Sequence, residues 1–175
     1  MSNYYRKTED IIYLSLERYL RVTGNEDIQI LNSHMNALEP DKTYVVFTLL
    51  NLEQIGSGSE STRVDRDDET LQSISHHHGE VQIQVIGEKS SDIAGLLSWG
   101  LGNDRRAYDS FAYNKIRVFN IPKNIRRAPQ KRDTQWVEGY SFDFKISLSL
   151  NTKYKYDWVE YVVINGEKHK VPYSE

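Results

Sequence analysis

Three consecutive histidines, His76, His77 and His78, carry the side chains in this sequence that are best suited to bind a metal ion. A catalytic zinc site needs three protein ligands that converge on one point, whereas adjacent side chains of an extended chain point to opposite faces. Only His76 and His78 could share a face, and no HExxH motif or other spaced ligand set accompanies them. We therefore interpret the run as the polar lead-in to a strand. A metal-dependent hydrolase that uses His76 and His78 is the alternative.

The signatures of other catalytic and cofactor sites are missing from the sequence. The chain of 175 residues contains no cysteine, which excludes thiol nucleophiles, thiolate metal sites and disulfides. It has no GxSxG nucleophile elbow, and the stretch GSGSES at residues 56–61 lacks the Lys-Ser/Thr pair of a phosphate-binding loop. We therefore expect no enzymatic activity, no cofactor and no resident metal.

Opposite charges are segregated along the chain, although its net charge is only −3. Between residues 53 and 69 six acidic residues outnumber two arginines, and the acids at the end of this stretch are Asp65, Asp67, Asp68 and Glu69. Residues 123–132 include no acid and five bases, which are Lys123, Arg126, Arg127, Lys131 and Arg132. Fields of opposite sign can steer a protein toward partners or toward copies of itself, whereas the simpler interpretation is two solvated loops.

The basic run at residues 123–132 could also bind phosphate groups. Pro122 and Pro129 favour an extended backbone, along which arginines can present bidentate donors. No aromatic side chain lies within the run, although base stacking would need one. This pattern disfavours a sequence-specific nucleic-acid reader. It leaves two alternatives: an accessory protein that contacts the backbone of duplex DNA non-specifically, or docking to an acidic protein surface.

Two amphipathic helices are predicted. One covers residues 8–22, where Thr8 is placed to cap the helix and Gly24 to end it. The other should follow Ser90 and Ser91, which are good N-capping residues. The apolar stripes at helical spacing consist of Ile12, Leu16, Tyr19 and Leu20 in the first helix and of Ile93, Leu96, Leu97 and Leu101 in the second.

Strand patterns account for much of the remaining chain. The clearest lies at residues 140–150, where apolar and polar residues alternate, so that one face should be buried and the other wet. Residues 43–50 are apolar on both faces, as in an interior strand. A strand at 158–164 meets the hairpin signal Asn165-Gly166, with residues 168–171 as the return. Shorter strands are predicted at 28–31, 81–85 and 116–121.

Together these elements predict a single domain over residues 1–175. Its class is α+β, a mostly antiparallel sheet with two helices packed on one face and with long loop or hairpin insertions. Residues 55–75 have little apolar content, which indicates a long mobile loop or an extended hairpin, and we expect a flexible acidic loop at about residues 53–78. No signal peptide or membrane-spanning run is evident, so we expect a soluble protein of a cytoplasm-like compartment.

Two stretches of the second half carry a family resemblance. GEVQIQVIGEKSSDIAGLL, at 79–97, is a strand with a Gln-x-Gln pattern followed by a glycine, a Ser/Asp break and an amphipathic helix. FNIPKNIRRAPQKRDTQWVEGYSFDFKISLSL, at 119–150, is a strand, a polar connection and a Trp-Val-Glu entry into a long alternating strand. This order, over roughly residues 79–164, resembles the tail-terminator or neck (head-to-tail joining) proteins of tailed bacteriophages. The loop at 53–78 is longer than the family pattern predicts.

The resemblance implies a structural virion protein that forms a ring, commonly of six copies, at the junction of head and tail. Its implied partners are other copies of itself, the tail tube protein and a head-side connector or neck protein. DNA would cross the channel only as a non-specific passenger, and no membrane is involved. Assembly would take place in the host cytoplasm and the product would lie in the neck or tail of the virion. In such a ring the basic run would be a subunit or partner interface, and the acidic residues 65–69 a channel or interface loop.

Overall fold

The computed structural model describes residues 3–34, 38–56, 61–65, 70–121, 124–132, 134–155, 161–164 and 167–170. For residues 61–65, 70–72 and those after 151, the description covers the backbone alone. Three helices lie in these parts of the chain: α1 (Asn3–Val22), α2 (Ser90–Asn103) and α3 (Arg105–Tyr113). The strands are β1 (Gln29–Asn32), β2 (Tyr44–Ile55), β3 (Ser61–Asp65), β4 (Thr70–Ile86), β5 (Ile116–Phe119), β6 (Arg126–Arg127), β7 (Gln130–Arg132), β8 (Gln135–Val137), β9 (Gly139–Lys155), β10 (Tyr161–Ile164) and β11 (Glu167–Lys170).

Seven of these strands form one mixed sheet in the order β1-β2-β4-β9-β5, with β3 beside β4 and β6 beside β9. Only the β1–β2 pair is parallel among the described strands, and the other pairs are antiparallel. Two small hairpins, β7–β8 and β10–β11, complete the strands. The predicted α+β class is confirmed. The hairpin at the end of the chain is also confirmed, because Ile164 pairs with Glu167 and two residues remain for the turn.

The longest strands, β4 and β9, pair over their full 17 residues, from Thr70 opposite Lys155 to Ile86 opposite Gly139. At about 3.4 Å per residue this two-stranded ribbon is roughly 55 Å long. The alternation predicted for residues 140–150 is confirmed, because Phe142, Phe144 and Ile146 are buried, whereas the polar residues between them are not. Period-two patterning therefore gives the sheet one apolar face, which the helices cover, and one polar face.

The helices cover the apolar face and share a single core with it. Ile12, Leu16 and Tyr19 of α1 are fully buried, as the helical spacing predicts. α3 was not predicted. It is short, and it buries only Ala107, Ser110 and Phe111. Three buried positions give too short a helical pattern to be recognised in the sequence. The helix is held in place by tertiary packing, with the Phe111 ring edge-on to Phe144 at 6.2 Å between centroids.

The predicted N-terminal helix caps were wrong, whereas Gly24 follows the end of α1 with a φ of 75°, as expected. α1 begins at Asn3, so Thr8 lies inside the helix, where its Oγ1 donates a hydrogen bond to the Tyr4 carbonyl at 2.8 Å. Ser90 is the first residue of α2 and is buried, and the residue before it, Lys89, makes no side-chain capping bond. No described helix is long and apolar enough to cross a membrane.

Strands occupy most of the stretch at residues 53–78 for which a flexible loop was expected. β2 continues to Ile55, where it pairs with His76, and β3 continues beside β4 from Ser61 opposite Ile74 to Asp65 opposite Thr70. Of the two alternatives for this stretch, the extended hairpin therefore agrees with the structure. Residues 57–60 and 66–69 lie outside the described residues.

One buried hydroxyl joins α1 to the α2–α3 corner. The Tyr19 hydroxyl donates to Asp104 Oδ2 at 3.3 Å, and burial, together with the Asp104 charge, raises the pKa of Tyr19 to about 12. Asp104 also caps α3, because its Oδ1 accepts a hydrogen bond from the Arg106 backbone N–H at 2.9 Å. Gly100 of α2 passes directly beside the Tyr19 hydroxyl, and the lack of a side chain there makes the contact possible.

Candidate assembly surfaces

The sheet face opposite the helices, here called the open face, carries a chain of side-chain hydrogen bonds. Gln130 of β7 donates to Gln84 at 3.2 Å, Gln84 donates to Gln82 at 3.2 Å, and Gln82 donates to Asp143 at 3.1 Å. Arg126 Nη2 lies 3.9 Å from Asp143 Oδ2 at the end of the chain. This network ties the segment that contains the basic run to the two central strands of the sheet.

Within the basic run, Arg126 and Arg127 form β6 and pair with Ser141 and Tyr140 of β9. Both arginine side chains are exposed, at 77% and 72%, and Arg127 forms an ion pair with Glu138 at 3.4 Å. The approach of this segment depends on Gly139. The Gly139 carbonyl accepts a hydrogen bond from Ala128 at 2.7 Å, and a Cβ at residue 139 would lie 2.5 Å from the Ala128 carbonyl oxygen.

Arg132 differs from the other described bases of the run because its side chain is mostly buried. Its guanidinium lies 2.8 Å from Glu39 Oε1, donates to the Pro40 carbonyl at 2.8 Å, and lies 5.4 Å from the centre of the Tyr44 ring. The Tyr44 hydroxyl donates to Glu39, and this bond, assisted by Arg132, lowers the pKa of Glu39. Burial raises the pKa of Tyr44. Arg132 therefore anchors the run to the chain before β2 and is a poor candidate for outside contacts.

Six interface candidates remain, two of them bases and four of them acids. Lys131 of β7 is exposed, whereas Lys123 lies outside the described residues. Asp65 is the last residue of β3, and its backbone alone is described. The other acidic candidates, Asp67, Asp68 and Glu69, lie outside the described residues.

Among the described candidates, Asp65 and Arg126 lie at opposite corners of the sheet. Asp65 pairs with Thr70, which faces Lys155 at the far end of β9, whereas Arg126 pairs with Ser141 near the start of β9. Fourteen residues of strand separate these two points of β9, or roughly 48 Å. In addition, β3 lies on the β4 side of the ribbon and β6 on the β9 side. Asp65 and Arg126 therefore cannot meet within one chain.

The three histidines lie in β4, as the strand interpretation predicts, and they do not converge. His76 is on the open face, where its Nδ1 is 2.7 Å from Ser149 Oγ, and His78 packs against Phe119 with 5.1 Å between ring centres. His77 faces the helices and is 6% exposed, with its Nε2 2.8 Å from Ser75 Oγ. Among the described residues, no group of three His, Cys, Asp or Glu side chains is arranged to hold a metal ion.

The buried His77 makes stability depend on pH. Burial, and to a lesser degree the charge of His76, lowers the pKa of His77 in the folded state. The unfolded chain therefore takes up this proton first as the pH falls below about 6.5, and the free energy of unfolding decreases until the folded pKa is reached. We expect His77→Gln to reduce this decrease between pH 7.5 and pH 5, as measured by urea denaturation. His34→Gln, at an exposed position, is the control. An identical slope for the wild type and both variants would contradict the assignment.

The chain also matches a known protein family. The model of the phage neck terminator protein family matches residues 10–171, which is nearly the whole chain. The chain belongs to this family. No curated protein matches the sequence significantly. The resemblance found in the sequence is thus confirmed.

Membership of the family makes the chain a structural protein of the phage neck or tail, and the virion is where such a protein resides. The family is one of structural proteins, which agrees with the expectation of a non-enzymatic chain. The hydrogen-bonded chain of glutamines was missed from the sequence, because its partners come from three strands whose pairing the sequence does not specify.

Proposed function

We propose that this neck terminator forms a ring at the head–tail junction, caps the tail tube and joins it to the head-side connector or neck protein. The ring would contain six copies and enclose a channel through which DNA passes. The observation that carries the proposal is the family match over residues 10–171. Assembly in the host cytoplasm would precede the joining of head and tail.

The charge distribution supports a ring built by heterologous contacts. In such a ring, two different and complementary surfaces of each subunit meet, and the rotation between subunits closes the assembly. Asp65 of the acidic segment and Arg126 of the basic run lie at opposite corners of the sheet, roughly 48 Å apart along β9. Two distant patches of opposite sign can each face a different neighbour.

The basic run is the proposed subunit or partner interface. Arg126, Arg127 and Lys131 are exposed, and the ion pairs of Arg126 and Arg127 with Asp143 and Glu138 hold the two arginines in a defined direction. Pairing within the chain also argues against the alternative in which this run binds the DNA backbone. A guanidinium that already faces a carboxylate releases fewer counterions on binding a phosphate.

For the acidic segment we propose a place at the channel wall or against a neighbouring copy. Acidic side chains along a channel would let DNA slide without sticking, because like charges repel. The segment includes Asp65, at the end of β3, and Asp67, Asp68 and Glu69 beyond it. Neutralising Asp65, Asp67 and Asp68 should therefore impair DNA passage, and an unchanged infectivity would count against the channel position.

The deciding experiment is a mass measurement of the purified protein at high concentration, together with negative-stain images, in the presence and absence of tail tube protein. A closed ring, alone or at the end of tubes, is the expected result. A protein that remains monomeric and leaves tube ends uncapped would contradict the proposal. A monomer that shifts onto added duplex DNA through Arg126 and Arg127 would support the accessory DNA-binding alternative instead.

A further inference from the structure

Three exposed cations that are not part of the basic run, Lys115, Arg117 and Lys145, lie in or next to β5 and β9, and Arg117 and Lys145 are on the open face. Arg117 of β5 is opposite Ser147 of β9, and Lys145 lies two residues before Ser147 on the same face of that strand. Lys115 precedes β5 and lines a cavity of about 580 Å³ together with Arg117 and Ser147. None of the three cations forms an ion pair with a described residue. This set of residues is called the β5 patch.

Hydroxyl and imidazole groups complete the β5 patch. Ser147 lies between Arg117 and His78, so that the three residues form a row across β5, β9 and β4. Ser149 also lines the cavity, and its Oγ contacts His76 Nδ1 at 2.7 Å. Lysine, arginine and serine side chains supply many of the contacts that proteins make to phosphate oxygens. Glu80 is opposite Lys145 at the margin of the patch, and Asp143 lies two residues before Lys145 on the same face of β9.

Lys115 has a backbone conformation that a lysine rarely adopts. Lys115 follows the last turn of α3, donates its N–H to the Ala112 carbonyl at 2.9 Å and has a φ of 60°. This left-handed position after a helix is usually filled by glycine, because other residues crowd their Cβ there. A lysine at this place destabilises the helix end relative to glycine. Lys115 lines the same cavity as Arg117, so its side chain supplies a charge there that glycine could not supply.

We propose that the β5 patch binds the phosphate backbone of duplex DNA. The ligand is a polyanion with regularly spaced charges and no sequence requirement, because the patch offers cations and hydroxyls on a strand surface without donors arranged for base edges. The inference goes beyond the proposed ring, since a single subunit can make the same contact. It also assigns the DNA contact to the β5 patch and not to the basic run, because the described arginines of that run face carboxylates of their own chain.

The test is fluorescence anisotropy of a labelled duplex of arbitrary sequence, titrated with the full-length protein at several NaCl concentrations. Three phosphate contacts predict a slope of about −3 for log K against log[NaCl]. Lys115→Gly should weaken binding about tenfold at 50 mM salt and reduce the slope by about one, because one released counterion is lost. The same substitution should raise the unfolding temperature, since glycine suits the left-handed position.

Asn120→Gly is the matched control for Lys115→Gly. Asn120 has a φ of 49°, so glycine relieves the same kind of backbone conformation without a change of charge. We expect this variant to be at least as stable as the wild type and to bind DNA unchanged. Arg117→Gln should weaken binding as Lys115→Gly does, whereas neutralising Arg126 and Arg127 should leave it nearly unaltered.

Several results would overturn the proposal. One is the absence of binding at 50 mM NaCl, and another is binding that survives Lys115→Gly and Arg117→Gln but is lost with Arg126→Gln and Arg127→Gln. Polyglutamate that displaces the duplex as effectively as unlabelled DNA would identify the partner as an acidic protein surface instead. Sedimentation of the same variants is measured in parallel, so that loss of DNA binding and loss of ring assembly are distinguished.

Discussion

Gly100→Ala is expected to destabilise the neck terminator by about 2–3 kcal/mol, although alanine is the better helix former. A Cβ at this position would lie 1.8 Å from the Tyr19 hydroxyl oxygen and 2.6 Å from the ring carbon that bears it. Tyr19 is fully buried, so its ring is surrounded by other residues of the core. The clash would also disturb the hydrogen bond from Tyr19 to Asp104 at the start of α3. The measurement is the midpoint of urea denaturation at an unchanged m-value.

Gly95→Ala, in the same helix, is the matched control. A Cβ there would meet no heavy atom within 4 Å, and the residue lies inside α2, so alanine should stabilise the protein by about 0.5–1 kcal/mol. If Gly100→Ala destabilises the protein and Gly95→Ala stabilises it, the difference between these two substitutions in one helix is due to the contact with Tyr19.

Combining Gly100→Ala with Tyr19→Phe provides a second check on this contact. Removing the hydroxyl oxygen eliminates the closest atom of the clash, so the double variant should be more stable than the sum of the two single changes predicts. Additive effects, or a Gly100→Ala protein as stable as the wild type, would show that α2 shifts freely against α1. The model of a tightly packed corner would then be wrong.

Arg126→Glu combined with Arg127→Glu is expected to abolish ring formation, if the basic run is the subunit interface proposed for it. The double reversal places two carboxylates beside Asp143 and Glu138, which now face the arginines at 3.9 Å and 3.4 Å. The surface would then be acidic and would repel an acidic neighbour. Because both side chains are exposed, folding should be little affected. The measurement is the mass of the assembled species, alone and with tube protein.

The control is a double charge reversal on the helices. It changes the net charge by the same amount and also replaces two arginines that form exposed ion pairs. Arg21 pairs with Glu17 at 3.4 Å and Arg105 pairs with Asp109 at 3.7 Å, and all four side chains are exposed. Arg21→Glu combined with Arg105→Glu should leave assembly intact. If both double variants form rings, the basic run is not the interface. If both fail, the effect comes from net charge.

Much of the fold follows from local patterns in the sequence. The apolar spacing of residues 8–22 placed the first helix, and the alternation at 140–150 placed β9, because these periods reflect which face of an element meets the core. The turn preference of Asn165-Gly166 likewise placed the hairpin of β10 and β11. The predicted ends of the helices and strands were less accurate than their positions. α1 begins five residues before its expected start, because packing can extend a helix beyond a cap that suits its sequence.

The charged surfaces show where such local reasoning ends. Composition and neighbouring residues were enough to identify the segregation of acids and bases and to predict the α+β class. Only the tertiary structure decided that Arg132 is anchored to Glu39 and that Arg117 and Lys145 lie together on the open face. Strand register brings Arg117 beside Lys145, and contacts of β7 with the chain before β2 bring Arg132 to Glu39, so both depend on segments distant in sequence. In the same way, the glycine at residue 100 has no local explanation until Tyr19 of α1 packs against it.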